Sequence, residues 1–163
     1  MSERGRARSE LLANKLATYS LDVIVSSVEP KAIETAQIIA NRLDKLHEIA
    51  EGLHEHDRRN VSFMPLDQVE TKVAEFFAKP TELVFGNETA DQAHARFANA
   101  ITRVLEKHPQ KNVAVVAHGT VISLFVAHEN EMRFELWKRL GLPSIVVLSL
   151  PTLQVEEVIE NVE

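Results

Sequence analysis

The run Val113-Ala114-Val115-Val116-Ala117 is cut off at once by His118-Gly119-Thr120, and this stretch leaves few folds open. Five apolar residues, three of them β-branched, read as a strand buried on both faces. Strands of that kind belong to parallel sheets covered by helices. The apolar segment Val121-Ile122-Ser123-Leu124-Phe125-Val126 follows directly as a helix. In open α/β sheets ligands bind just beyond the carboxyl ends of the strands, so His118 stands where chemistry is usually done. Gly119 would permit a tight turn and close backbone approach, and the amides of the following helix start would favour an anion. A histidine that merely ends a strand and is satisfied by the backbone is the plainer reading.

A second turn of the same type lies upstream. Leu21-Asp22-Val23-Ile24-Val25 is a short buried strand that ends in Ser26-Ser27, and Pro30 fits the first position of a helix running to about Leu43. Serines before a helix are ordinarily N-caps, and Lys31 could be a solvated surface lysine. Two hydroxyls, free amides and one cation at a strand's carboxyl end also make an anion pocket.

The remaining segments fill out the layers. Ser2 caps an N-terminal helix with Leu12, Leu16 and Tyr19 on one face. Residues 46–60 read as a polar loop dense in titratable groups, in which Glu55 is a candidate general acid beside an anion site lined by His and Arg. His54, His56 and Asp57 could be read as metal ligands, but nothing else in the chain completes such a set, so neither metal nor cofactor is expected. Helices over 65–79 and from Gly86–Thr89 to about Lys107 follow, the latter capped by Thr89 or Asn87 with His94 and Arg96 on its polar face. A helix over 131–140 places Trp137 in the core, and strands over 144–150 and 153–159 make a closing hairpin. The pattern predicts a single domain, residues 1–163, folded as a three-layer α/β/α sandwich with a mostly parallel sheet.

Composition excludes several classes. A net charge of −6 gives no basic surplus for nucleic acid. The absence of cysteine removes disulfides and thiolate chemistry. No apolar run reaches membrane-spanning length, so a soluble cytoplasmic protein is expected.

Five segments in this order resemble the histidine phosphatase superfamily, also called phosphoglycerate-mutase-like. Ser2-Glu3-Arg4-Gly5-Arg6 is similar to its LTERG segment. Ser26-Ser27, Lys31-Ala32 and Glu34-Thr35-Ala36 are similar to its SSxxxRAxxTA motif. Leu53-His54-Glu55 resembles its LxE acid motif, Gly86-Asn87-Glu88-Thr89 its GES segment, and Ala117-His118-Gly119 its second catalytic histidine.

The resemblance implies a phosphomonoesterase working through a phosphohistidine. His118 would stabilise the transferring phosphoryl group, Glu55 would protonate the leaving oxygen, and Ser27, Gly119 and Lys31 would bind phosphate. The expected partner is a phosphorylated small molecule or phosphoprotein. Lys31 stands where the family has an arginine, which loses the bidentate fork. The family's nucleophile lies in an Arg-His-Gly motif on the first strand, and no such triplet occurs in these 163 residues. The first strand is therefore expected to be missing, with an apolar slot beside 113–117 taken by a rearranged segment, a partner chain or elements swapped in a homodimer. The alternatives are a catalytically dead phosphate-binding or assembly module of the same fold, or a phosphoglycerate mutase.

Overall fold

The computed structural model describes all of residues 1–163. In chain order the elements are α1 (Glu3–Leu16), β1 (Val23–Ser26), α2 (Pro30–Leu43), β2 (Leu46–Ile49), α3 (Leu66–Ala78), α4 (Ala90–Lys107), β3 (Val113–Val116), α5 (Gly119–Val126), α6 (Asn130–Arg139), β4 (Ile145–Ser149) and β5 (Gln154–Ile159). Local chemistry sets several boundaries. Ser2 caps α1 by accepting from the Gly5 amide at 3.1 Å. Pro30 opens α2, and Asp44 ends it in the left-handed conformation. Thr89 and Gln92 form a reciprocal capping box at the start of α4.

β2, β1 and β3 form a parallel sheet in that order, with Val23, Ile24, Val25 and Ser26 facing Val113, Ala114, Val115 and Val116. Because side chains alternate along a strand, successive residues feed opposite layers. Ile24 joins α1 and α2 around Leu12, Leu16, Ala36 and Ile39. Val23 and Val25 join α4 and α5 around Phe97, Ala100, Val104 and Val121. A third cluster, Val73, Phe76, Phe77, Ala90, Ala93 and Leu124, fixes α3 against α4 and α5. The layers are those of an α/β/α sandwich.

Three expectations need correction. Residues 46–60 are not all loop: Leu46–Ile49 pairs in parallel with β1, although exposed Leu46 and Ile49 hide the strand from a periodicity search. Trp137 is half-buried rather than enclosed: it packs against the third cluster and stacks on Phe134, and no residue of α6 is fully buried. β3 is only half-buried, whereas β1 is buried throughout. The cause is topological. β1 has a strand on each side and β3 has β1 alone, because β4 and β5 pair with each other in a separate antiparallel ribbon. No segment of the 163 residues rearranges to sit beside β3.

Phe76 and Phe77 are fully buried between α3 and its neighbours. Replacing Phe76 by alanine removes a ring that also stacks on His56 at 4.2 Å. We expect a loss of about 3–5 kcal/mol, checked by urea unfolding, as is usual for large-to-small core changes.

Candidate active site

The parallel register ends β1 and β3 at the same level, so the residues that follow them emerge side by side. Ser27, fully buried, donates its amide to the Val116 carbonyl at 3.0 Å, which continues the ladder by one step. His118 caps α5 in extended conformation. Its Nε2 lies 2.7 Å from Ser27 Oγ and 3.5 Å from Glu29 Oε1. Nδ1 makes no hydrogen bond within the chain, so one ring nitrogen is anchored and the other is left for a ligand. The residue before Ser27 is anchored in the same way, with Ser26 Oγ 2.8 Å from His47 Nε2.

Glu55 reaches the same place from the opposite side. Its Oε2 accepts from the Thr120 amide at 3.1 Å, and its Oε1 accepts from the His56 amide at 2.8 Å. The Glu55 amide donates to Glu29 Oε1 at 2.8 Å. Thr120 is two residues beyond His118, so the carboxylate and the imidazole share one helix start. The sequence-derived residues Ser27, Glu55, His118 and Gly119 are thus brought together.

Lys31 is not drawn in. It sits exposed on the first turn of α2 without a side-chain hydrogen bond or ion pair. Gly119 opens α5 beside His118. It lacks a positive φ, and a Cβ there would come no closer than 3.7 Å to Trp137. No strained turn and no neighbouring protein atom requires glycine at this position.

The loop bearing Glu55 is held by residues that the sequence reading places elsewhere. Arg96 lies on α4, and it turns inward rather than onto a polar face. Its Nη1 donates to the Gly52 and His54 carbonyls at 2.8 Å each, its Nη2 to the Glu55 carbonyl at 3.3 Å, and it pairs with Glu88 at 2.5 Å. Glu88 also accepts from the Asp57 amide at 3.2 Å. Burial pushes the Glu88 carboxyl up, but the Arg96 and Asp57 donors outweigh it and hold the group below its ordinary range. Leu53, fully buried, pins the near end of the loop into the core beside α4.

His56 pins the far end. It is 2% exposed, stacks on Phe76 and meets Phe85 edge-on. Burial and the neighbouring Arg58 hold its imidazole below the ordinary range. The ring is therefore neutral, with Nδ1 accepting from Arg58 Nε at 3.0 Å and Nε2 donating to the Glu88 carbonyl at 3.2 Å. His54, His56 and Asp57 do not converge, and no group of three or more His, Cys, Asp or Glu is arranged to hold a metal ion. Glu29, and the positions of Glu88, Arg58 and Arg96 around the Glu55 loop, are what the sequence reading does not specify. An acidic residue inside the Gly86–Thr89 segment and an arginine two turns along the next helix is the faint signal available.

Gly86 is the position here that demands glycine. Its φ is 78°, and a Cβ would fall 2.4 Å from the Asp57 carbonyl oxygen and 2.8 Å from His56 Nε2. Gly86→Ala must therefore push the two loops apart. We expect a destabilisation of at least about 1–3 kcal/mol, with faster amide exchange confined to 53–58, measured by hydrogen-exchange mass spectrometry.

Burial lowers the affinity for protons of His47, His54, His56 and His94 alike. A histidine with a depressed folded-state value contributes stability that is complete above its unfolded value of about 6.5 and is lost progressively below it. The melting temperature should therefore fall between pH 7.5 and pH 5.5, and a flat or rising profile would contradict the burial of these rings.

A family model described as the histidine phosphatase superfamily (branch 1) matches residues 1–158. Phosphoserine phosphatase 1 of Hydrogenobacter thermophilus is 31% identical over 130 residues, which cover 72% of this chain and 58% of that protein. Phosphoglycerate mutase-like protein 4 of Arabidopsis thaliana is 25% identical over 130 residues, 75% of this chain and 56% of that protein. The chain thus spans less than two thirds of the length of these curated relatives. The fold is shared with a phosphoserine phosphatase mutant from Entamoeba histolytica in complex with phosphoserine, at a TM-score of 0.78 and 16% identity over 98% of this chain and 83% of that one. A mycobacterial glucosyl-3-phosphoglycerate phosphatase complexed with VO3 gives a TM-score of 0.73 at 21% identity, over 98% and 86%. With its motifs, its sheet order and the cluster around His118, the chain belongs to the histidine phosphatase superfamily.

Proposed function

We propose that the protein is a phosphomonoesterase and that the cluster at the ends of β1 and β3 is its phosphoryl site. One observation carries the reading. An anchored imidazole, His118, and a carboxylate fixed by two backbone amides, Glu55, meet at a single helix start. His118 Nδ1 and the Gly119 amide would bind the phosphoryl oxygens, where preorganised donors offset the developing charge. Glu55 stands where a general acid would hand a proton to the ester oxygen as the P–O bond breaks. The phosphorus would bond to a histidine nitrogen of a segment outside these 163 residues, and water would later cleave that N–P bond to release phosphate.

The open edge of β3 is where such a segment fits best, because its unpaired backbone groups run directly toward His118. Relatives named as phosphatases of phosphoserine and of glucosyl-3-phosphoglycerate support a phosphorylated small molecule as substrate.

A second reading, binding without turnover, is favoured by two features. Lys31 is unpartnered, and the Glu29 carboxylate stands 3.5 Å from His118, where it competes with a phosphoryl group for the imidazole. Hydrolysis of p-nitrophenyl phosphate separates the two. We expect turnover from a protein extended by an upstream Arg-His-Gly strand, and a fall of about 10²–10⁴ in His118→Ala or Glu55→Gln of that form, the range typical of lost acid–base or oxyanion groups. An extended protein that binds orthophosphate but never hydrolyses the ester would establish the second reading.

A further inference from the structure

Arg58 is the one guanidinium of the site whose charge has no acidic partner. Its Nε is spent on the neutral ring of His56, and its Nη2 donates to Thr120 Oγ1 at 2.9 Å. The guanidinium carbon lies 5.0 Å over the Phe85 ring. Nη1 makes no hydrogen bond, and no carboxylate oxygen comes within ion-pair distance. Each neighbouring acid is already engaged: Asp57 by Arg59, Glu88 by Arg96, and Glu55 by the amides of Thr120 and His56. Burial accordingly lowers the proton affinity of Arg58, partly offset by the Glu55 carboxylate.

A half-buried cation without a counter-charge is costly, and arginine offers a planar fork matched to an oxyanion. A purely structural strut at this place would need neither the charge nor a free nitrogen. The position of the charge indicates what it meets. Arg58 and Glu55 converge on the same residue, Thr120, from the loop that follows Leu53. Ser27 and His118 meet at the start of the same helix, where the phosphoryl group is placed. The guanidinium is therefore tied to the same turn as Glu55, the residue that would face the leaving group.

We infer that Arg58 is a specificity residue that binds a second anionic group, a carboxylate in the first instance, on the leaving group of the phosphomonoester. This rests on the phosphomonoesterase reading, in that Glu55 marks the leaving-group side. The free Nη1 and the second hydrogen of Nη2 would form a charge-assisted, two-point contact with the carboxylate. Lys31, exposed on α2, takes no part.

The test uses two probes that differ by one carboxylate, O-phosphoserine and O-phosphoethanolamine, with binding to the 163-residue chain measured by calorimetry. The wild type should prefer phosphoserine by about tenfold or more, the scale of a hydrogen-bonded charge pair. In Arg58→Gln the preference should vanish. Arg58→Lys keeps the charge and loses the fork, so it should retain only part of the preference, and it carries the test should the glutamine variant not fold. A preference undiminished in either variant, or none in the wild type, overturns the assignment of Arg58 while leaving the phosphoryl site intact. Failure of the protein extended by the Arg-His-Gly strand to bind phosphoethanolamine or orthophosphate at all overturns the phosphomonoesterase reading itself, and this inference with it.

Discussion

The hydrogen bond between Ser27 and His118 exists because β1 and β3 run parallel and in register. Val23 faces Val113 and Ser26 faces Val116, so the next side chains from two distant parts of the chain leave the sheet together. A shift of one residue would turn Ser27 or His118 to the opposite face and dissolve the site. The register in turn is held by packing on both sides of the sheet. Ile24 is locked among α1 and α2, and Val25 among α4 and α5, with neither side chain more than 1% exposed. The chemistry at the strand ends is thus a consequence of two hydrophobic layers.

Glu55 depends on a different principle, since its loop has no ladder to lean on. Arg96 supplies the missing order. One guanidinium gathers three backbone carbonyls, those of Gly52, His54 and Glu55, and an acidic partner, the sort of multidentate contact that only arginine makes. Leu53 and His56 bury themselves on either side of the exposed work, so that an apolar anchor and an aromatic stack bracket the acid. The same economy leaves Arg58 uncompensated. Every acid near it has been claimed by another donor, and the cation waits beside the carboxylate that would handle the leaving group.

Much of the fold is legible in the residues alone. The buried strand Val23–Ser26, the Ser2 and Thr89 caps and the Pro30 helix start follow from local rules that tertiary packing does not disturb. The same holds for His118, Ser27 and Glu55, which strand-end logic and motif resemblance bring into one site. β2 escapes notice because an edge strand with exposed Leu46 and Ile49 shows no apolar pattern. Arg96 and Glu88 escape because their role is a long-range clamp, 42 residues from His54 along the chain. Lys31 differs from these: motif spacing implies a ligand role, and its side chain is exposed and makes no hydrogen bond or ion pair within the chain. The size of Trp137 predicts a core position, and the residue lies at the margin of the core, half-buried against the third cluster.

Orthophosphate titration monitored by heteronuclear NMR tests the central claim most directly. If the cluster is a phosphoryl site, the His118 ring nitrogens and the Gly119 and Thr120 amides should shift first and saturate together, while Lys31 and the exposed residues of α2 stay still. Shifts centred on Lys31 and the α2 start, with His118 unmoved, would contradict the account and place any anion site elsewhere on the molecule.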